Sequence, residues 1–370
     1  MKPFVNIYIF FVVFSLAVGI GRGFFPVWFL ENGFSYTQIV IYFLIKLAIP
    51  PLILLLRQRF STVKSLSLAI ASEILLMISV WHIYHPAQLL IIAFLSGVTV
   101  VYFYLVYNTL FFENSPKDKK AFSAGLYFLA SPFLGIMVPL IVGWVTQKYG
   151  FTYIFPAAIV LLVVCLARIP KLPKITFEPN LGEIIGKNKK LVILQLLDGI
   201  QDAVPLTAIP AFTLLFIKDP LPYGAFLSYL AIMAVCANLL IGYISDKIKN
   251  RTLFLYPAAI LTALSIIGFG FAYDLRLWAI VCGFFGFIST IKSSFALTVI
   301  LDKATGVSDG MVLHEFLVGV GRIIGSLICL IPLIMGGSPQ TAMIFIGFIY
   351  LLFPIALYRQ RIYRSNLAER

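Results

Sequence analysis

Two aspartates, Asp198 and Asp202, stand four residues apart within a long apolar run of the sequence. On a helix this spacing places both carboxylates on one face. Two carboxylates that are held close together away from water repel each other. At least one of them should therefore bind a proton more readily than an isolated aspartate does. The pair favours a proton-exchange site, and the open alternative is that each aspartate forms a structural ion pair with a basic residue.

Basic side chains interrupt other apolar runs, where an ionisable group at mid-membrane costs about 2.5–3.5 kcal/mol and invites a functional reason. Ammonium and guanidinium groups bind carboxylates and phosphates, so Lys46, Lys292 and Arg322 could hold an anionic solute. Pairing with nearby carboxylates is the alternative. The charged residues in apolar runs that we select as candidate site residues are Arg22, Lys46, Asp198, Asp202, Lys292, Glu315 and Arg322.

The sequence predicts neither a metal site nor a cofactor. The four cysteines stand alone in apolar runs, and His82 and His85 have no third ligand near them in the sequence. The glycines around Arg322 lie inside an apolar run and follow no strand, so they favour close helix packing over dinucleotide binding. A phosphate-binding loop of the ATPase type is not found, so ATP-driven transport would need a separate subunit.

The elements that position these residues follow from composition. The chain is 61% hydrophobic and 12% charged, whereas soluble domains are nearer half apolar and a quarter charged. A helix needs about 20 apolar residues to cross the hydrocarbon layer. Twelve such runs are predicted, at residues 4–30, 36–56, 63–84, 87–112, 120–147, 151–169, 190–217, 222–245, 252–273, 276–302, 310–335 and 339–358. The expected fold is an all-α polytopic membrane protein with twelve transmembrane helices.

Loop charges predict the orientation. Most lysines and arginines outside the spans fall in segments that would share a side with the N-terminus. Such a bias places both termini in the cytoplasm. Trp28, Trp81, Trp144 and Trp278 then all lie near the outer interface, where amphipathic rings collect. The net charge of +13 is thereby explained by topology and anionic lipid rather than by nucleic acid, and the predicted location is the cytoplasmic membrane.

The chain divides into two halves at its longest polar stretch. Residues 1–170 are predicted to form one six-helix bundle, 171–189 a cytoplasmic linker, and 190–370 a second bundle. Arg22 and Asp202 occupy related positions near the outer ends of spans 1 and 7 in a weak internal repeat. We hypothesise that these two residues pair as an outer gate when the outer side closes, and that Glu73 pairs within its own half.

The segment from Gly242 to Arg251 reads Gly-Tyr-Ile-Ser-Asp-Lys-Ile-Lys-Asn-Arg. It resembles the loop signature of the major facilitator superfamily, which places an acidic residue and basic residues after a glycine. The copy expected between spans 2 and 3 keeps basic residues at Arg57 and Arg59 but lacks the acidic one. The resemblance implies two pseudo-symmetric bundles around a midplane site, and it places the seven charged residues selected above on helices that line or flank a solute and proton pathway. It also implies an inner-gate loop formed by Gly242, Asp246, Lys247 and Arg251.

The resemblance and the buried charges together predict a secondary transporter that moves a small organic solute by alternating access. Proton coupling is expected, and export is favoured slightly over import. Uptake of an organic anion or metabolite by the same fold is the alternative. A membrane-embedded enzyme is a remote one, since the ionisable groups are dispersed over many spans. The expected partners are the solute, protons and the lipid bilayer, with the protein a monomer and not an enzyme.

Overall fold

The computed structural model describes residues 2–56, 59–114, 120–245, 252–303 and 307–359. The described chain is predominantly helical. A chain surrounded by lipid must satisfy its backbone hydrogen bonds internally, and a helix does this within one segment.

In the first half, the helices are separated by short turns, and the predicted first span is broken. The helix α1 ends at Arg22, and α2 begins at Phe25 with Pro26 in its first turn, a position that tolerates the missing N–H of proline. The elements are α1 (Lys2–Arg22), α2 (Phe25–Glu31), α3 (Tyr36–Leu56), β1 (Phe60–Ser61), α4 (Thr62–Trp81), α5 (Gln88–Val100), α6 (Val106–Glu113), α7 (Lys120–Tyr149) and α8 (Ile154–Arg168).

The second half begins with a structured linker. The elements are β2 (Thr176–Phe177), α9 (Leu181–Lys187), α10 (Lys189–Ala203), α11 (Ile209–Phe212), α12 (Pro220–Ser245), α13 (Thr252–Phe269), α14 (Leu275–Lys303), α15 (Val307–Ile334), α16 (Pro339–Tyr350) and α17 (Leu352–Arg359). The short helix α9 is capped by Asn180, whose side chain accepts a hydrogen bond from the Glu183 backbone N–H.

Ten helical segments of the described chain are long and apolar enough to span a membrane. Two shorter apolar stretches, Phe133–Tyr149 and Leu255–Phe269, coincide with the predicted fifth and ninth spans. The polytopic helical fold is confirmed, while the count of twelve, the cytoplasmic termini and the boundaries at residues 170 and 190 stay predictions.

Contacts between distant segments identify the two ends of the protein. The strand β1 pairs with β2, with Phe60 opposite Phe177, and the ring of Phe4 lies 5.0 Å from that of Phe111. The start of α1, the turn between α3 and α4, the end of α6 and the linker therefore share one end, here called the linker side. The opposite end is called the far side.

Three of the tryptophans belong to the far side. The Trp28 indole N–H donates to the Val80 carbonyl at 2.9 Å, next to Trp81, and Trp144 is half exposed near the end of α7. The fourth, Trp278, also lies near the far-side end of its helix, in the first turn of α14. Its side chain is 2% exposed and its indole N–H donates to Thr213 Oγ1 at 2.9 Å, so it packs inside the protein.

The two halves meet along two helix pairs, α7 with α12 and α3 with α15. Between α7 and α12 the backbones approach closely. A Cβ on Gly143 would lie 2.8 Å from the Pro220 carbonyl, and the Ser228 hydroxyl donates to the Ile136 carbonyl at 2.7 Å. Small residues allow the backbones of α7 and α12 to approach each other closely, and the two halves are therefore in contact from the far side to mid-membrane.

Candidate functional site

A chamber lies between the halves, formed by two adjacent cavities of about 640 and 630 Å³. They share Val18, Gly19, Tyr104, Pro205 and His314 as lining residues. The first cavity extends toward the linker side, where Ser15 and Ser293 line it. The second reaches toward the far side as deep as Pro26 and Tyr223.

Contacts between the halves close the chamber at the far side. The rings of Phe24 and Tyr223 meet edge-on at 5.9 Å, and the Leu221 backbone N–H donates to Gln147 Oε1 at 3.3 Å. The Tyr36 hydroxyl donates to the Leu214 carbonyl at 3.4 Å. The structure is thus a far-side-closed state, with the chamber extending toward the linker side.

Two helices widen where they line the chamber. Residues Val101–Leu105 and Val204–Ala208 form π-helical turns, a geometry that occurs often at functional sites. The second turn contains Pro205, which cannot donate a backbone hydrogen bond and so disturbs the α-helical ladder. Tyr104 belongs to the first of these turns and lines the chamber.

Arg22 pairs with Glu73 from the peripheral helix α4. The guanidinium Nε donates to Glu73 Oε1 at 2.7 Å, and a terminal nitrogen donates to the second carboxylate oxygen. The Glu73 side chain is fully buried, and a buried charge needs a hydrogen-bonded partner. The prediction that Glu73 pairs within its own half is confirmed.

The hypothesised gate pair between Arg22 and Asp202 is wrong for this state. Although the far side is closed, Arg22 is held by Glu73, and Asp202 is held by Arg322 at 2.9 Å. The bidentate contact with a fully buried carboxylate fixes the direction of the Arg22 guanidinium. Both residues still line the chamber.

In the second half, Lys292 and Asp198 form a buried ion pair. The Lys292 ammonium is fully buried and donates to Asp198 and, at 2.5 Å, to Gln201 Oε1. It also lies 5.6 Å from the centre of the Tyr350 ring. Asp198 lines the chamber, so one carboxylate faces both an internal cation and the solute space.

Arg322 contacts two carboxylates. Its terminal nitrogens lie 2.9 Å from Asp202 Oδ2 and 3.8 Å from Glu315 Oε2. The two aspartates of α10 therefore form separate ion pairs, Asp198 with Lys292 and Asp202 with Arg322. This arrangement corresponds to the structural ion pairs that the sequence left open as an alternative.

Lys46 is different, because no hydrogen-bond or ion-pair partner for it is found in the described ranges. Its ammonium lies 5.4 Å from the centre of the Phe43 ring, and it lines the chamber together with Arg22, Glu315 and Arg322. Lys292 and Arg322 are already paired with carboxylates. Of the three cations that were expected to bind an anionic solute, Lys46 is the one that remains without a described carboxylate partner.

Three polar residues near this network were not among the predicted pathway residues. Gln201 holds Lys292, Gln195 is buried nearby, and His314 lines both cavities, with its Nδ1 buried and without a hydrogen-bond partner among the described residues. The signal for the glutamines was their position, each three residues from Asp198 and so on the same helix face.

The predicted inner-gate loop is described only at its edge. Gly242 lies in the last turns of α12, whereas Asp246, Lys247 and Arg251 lie outside the described residues. In the related turn after α3, Arg59 pairs with Glu178 of the linker at 3.1 Å. Over the part of the chain that the structure describes, no group of three His, Cys, Asp or Glu side chains is arranged to hold a metal.

Comparisons with solved structures identify the fold. The chain is similar to the POT family transporter PepTSo, with a TM-score of 0.77 and 11% identity, over 98% of this chain and 99% of that one. It is also similar to the human organic anion transporter MFSD10 (TETRAN), with a TM-score of 0.68 and 10% identity, over 96% and 99% of the two chains. For the nucleoside transporter NupG the TM-score is 0.67 and the identity 13%, over 97% and 100%.

A search of curated proteins finds no match to the sequence. The family profile described as Major Facilitator Superfamily matches residues 7–326, which is most of the chain. The expected resemblance is thereby confirmed, and the family is one of membrane transporters rather than enzymes. This chain belongs to the major facilitator superfamily.

Proposed function

We propose that this protein is a proton-coupled secondary transporter of small organic solutes that carry both a positive and a negative charge, working by alternating access across the cytoplasmic membrane. The observation that carries the proposal is the division of charge between the two walls of the chamber.

On the wall of the first half, Arg22 is balanced by Glu73, and Lys46 is an additional cation without a described partner. On the wall of the second half, Lys292 is balanced by Asp198, while Arg322 faces two carboxylates, Asp202 and Glu315. The first wall has one excess positive charge and the second one excess negative charge.

A solute with an ammonium and a carboxylate group matches this division. Its carboxylate would contact Lys46, and its ammonium would contact Asp202 and Glu315. Each contact is charge-assisted and forms in a chamber of low dielectric, where such bonds are strongest. Because the solute touches both halves, it favours the state in which they approach each other around it, which is the transition alternating access needs.

Asp198 is the residue we assign to proton coupling. In the described state its carboxylate is bound to the Lys292 ammonium. Protonation of Asp198 would remove this attraction and free the ammonium, so the link between α10 and α14 depends on proton binding. Both helices line the chamber, which connects the proton to the shape of the solute site.

The similar solved structures are compatible with this class of solute. They include transporters of peptides, nucleosides and organic anions, and peptides carry both kinds of charge. The alternative of a pure organic anion is less well supported here, since Lys46 is the one chamber cation without a described carboxylate partner.

The test is uptake into liposomes that contain the purified protein, with an internal pH-sensitive dye. The solutes are amino acids and dipeptides, each compared with its N-acetylated and its C-amidated form. We expect uptake of the unmodified solutes, acidification with each transport event, and loss of both when Asp198→Asn is introduced. Equal uptake of amidated and unmodified forms would refute the two-charge solute, and uptake without proton movement would refute the coupling.

A control variant that also removes one charge is Lys148→Gln. Lys148 lies on the far side beside Trp144, 5.4 Å from that ring, and it does not line the two cavities of the chamber. Liposomes with a fixed orientation of the protein measure the direction of net flux, on which export remains the expectation from the sequence. Analysis by size and mass of the solubilised protein tests the predicted monomer.

A further inference from the structure

A small pocket of about 20 Å³ lies behind the solute chamber, within the second half. It is enclosed by α10, α13, α14 and α17, and its lining includes Leu191, Leu255 and Leu357, which lie near the linker-side ends of their helices. Asp198 lines this pocket and also the chamber. Asp198 therefore borders two spaces, one on each side of α10.

Gln195 is the polar residue of this pocket besides Asp198. It is 1% exposed, and both its amide nitrogen and its amide oxygen are buried without a hydrogen-bond partner in the part of the chain that the structure describes. A buried amide that forms no hydrogen bond costs about 1–3 kcal/mol per group. The remaining lining residues are leucines, Ala296 and Phe353, which offer nothing for it to bind.

One water molecule in the pocket would satisfy the amide. A pocket needs about 10–15 Å³ of such space to hold one water, and the water needs two to four polar partners. The volume is sufficient, and Gln195 supplies a donor and an acceptor while Asp198 supplies a second acceptor. The Tyr350 hydroxyl is also buried and belongs to the same region, since Tyr350 stacks on Phe353 with ring centres 5.2 Å apart.

We propose that Gln195 holds a water molecule through which the Asp198 proton exchanges with the linker side, by a route separate from the solute chamber. The inference rests on the proposed proton coupling. The Asp198 carboxyl group donates its proton to this water, and the water gives up a different proton to solvent at the linker side, so the water remains neutral. The carboxylate that remains then binds the Lys292 ammonium again. Gln195 is a positioning residue, since it acts on the proton through the water.

A separate route has a consequence for the transport cycle. When a solute occupies the chamber, it excludes water from the chamber face of Asp198. The proton can still exchange through the pocket, so proton release does not have to wait for the solute to leave.

The first experiment detects the water without any solute. Synchrotron hydroxyl-radical footprinting of the full protein in lipid nanodiscs labels buried side chains only where water is adjacent. We expect Phe353 and Leu357, which are 2% and 3% exposed, to be labelled about tenfold faster than Phe103, which is fully buried in the dry core of the first half. Equal labelling of Phe353 and Phe103 overturns the proposal.

The second experiment uses Gln195→Leu, with Ile193→Leu as the control on the lipid-exposed face of the same helix. Removal of the amide should abolish the labelling of Phe353 and lower proton-driven uptake about tenfold, as expected when a positioned proton carrier is lost. Solute exchange at equal pH on both sides, measured with the solute that the wild type transports, should remain. A purely structural role would reduce exchange and proton-driven uptake equally and would overturn the proposal.

The two arms separate this inference from the proposed function. Labelling of Phe353 in a protein that moves solute without protons supports the water site and refutes the coupling. Proton-coupled uptake in a protein whose Phe353 is not labelled refutes the water site and supports the coupling. If Gln195→Leu does not fold, the wild-type labelling decides the first question, and Gln195→Met replaces it for the second.

Discussion

The two halves of this transporter treat their buried charges differently. In the first half, one guanidinium and one carboxylate form a closed bidentate pair, Arg22 with Glu73, and Lys46 stands apart from it. In the second half, Lys292, Arg322 and three carboxylates form contacts that extend along the chamber wall. Glu73 is fully buried on a peripheral helix, whereas Asp198 and Asp202 line the chamber.

This difference suggests that the buried charges of the two halves have different roles. A closed pair whose carboxylate is fully buried outside the chamber lining holds helices together. A carboxylate that lines the chamber and also contacts a buried cation can bind a proton and release that cation. An isolated cation in a chamber wall is free to bind a solute. We therefore expect mutations in the first pair to affect stability, and mutations in the second network to affect coupling.

The largest effect is expected for Lys292→Leu, because it leaves Asp198 buried without its cation. Removing one partner of a buried pair typically costs about 3–5 kcal/mol. The thermal transition of the purified protein should fall strongly, and proton-driven uptake should be lost. The double variant Asp198→Asn with Lys292→Leu should recover the thermal transition but not the proton-driven uptake. Recovery of coupled uptake in the double variant would assign the pair to structure alone.

The next effect in size is that of Glu73→Gln, which tests the structural role of the first pair. It should lower stability by about 3 kcal/mol through the unpaired Arg22 guanidinium. In contrast to the pair in the second half, replacement of both partners, by Arg22→Met with Glu73→Met, should restore both stability and coupled uptake. The measurements are thermal unfolding in detergent and liposome uptake. A double variant that is stable but inactive would give Arg22 a role in transport.

The sequence was sufficient for the elements that depend on length and polarity. The second predicted span, 36–56, is the helix Tyr36–Leu56, and the eleventh, 310–335, is Val307–Ile334 within a few residues. These bounds follow from runs of apolar residues between polar turns. The break after Arg22 and the π-helical turns were not predicted, because they depend on how neighbouring helices pack around the local backbone.

The residues of the site were predictable, but their partners were not. A charge in an apolar run identifies Arg22, Lys46, Asp198 and Arg322 with little ambiguity, since lipid penalises such residues strongly. Which carboxylate each one meets depends on the rotation of each helix about its axis. The linker was expected as a polar connection, and its pairing with β1 depends on contacts over more than a hundred residues, which local patterns do not encode.

A smaller effect on stability, but a specific effect on transport, is expected for Lys46→Gln. Since no described partner is lost, the free energy of unfolding should change by less than about 1 kcal/mol. The loss of a charge-assisted bond of about 1.5–3 kcal/mol should raise the KM for unmodified solutes roughly ten- to hundredfold. The KM for the amidated forms should hardly change. A KM that rises equally for both forms would show that Lys46 does not bind the carboxylate.

The smallest effect is expected at the linker, where Arg59 and Glu178 are 72% and 62% exposed. Exposed ion pairs contribute about 0–1 kcal/mol, because water and salt screen the attraction. Glu178→Gln should therefore leave both the thermal transition and coupled uptake close to wild type. If uptake falls while stability does not, the contact between the linker and the turn after α3 takes part in gating.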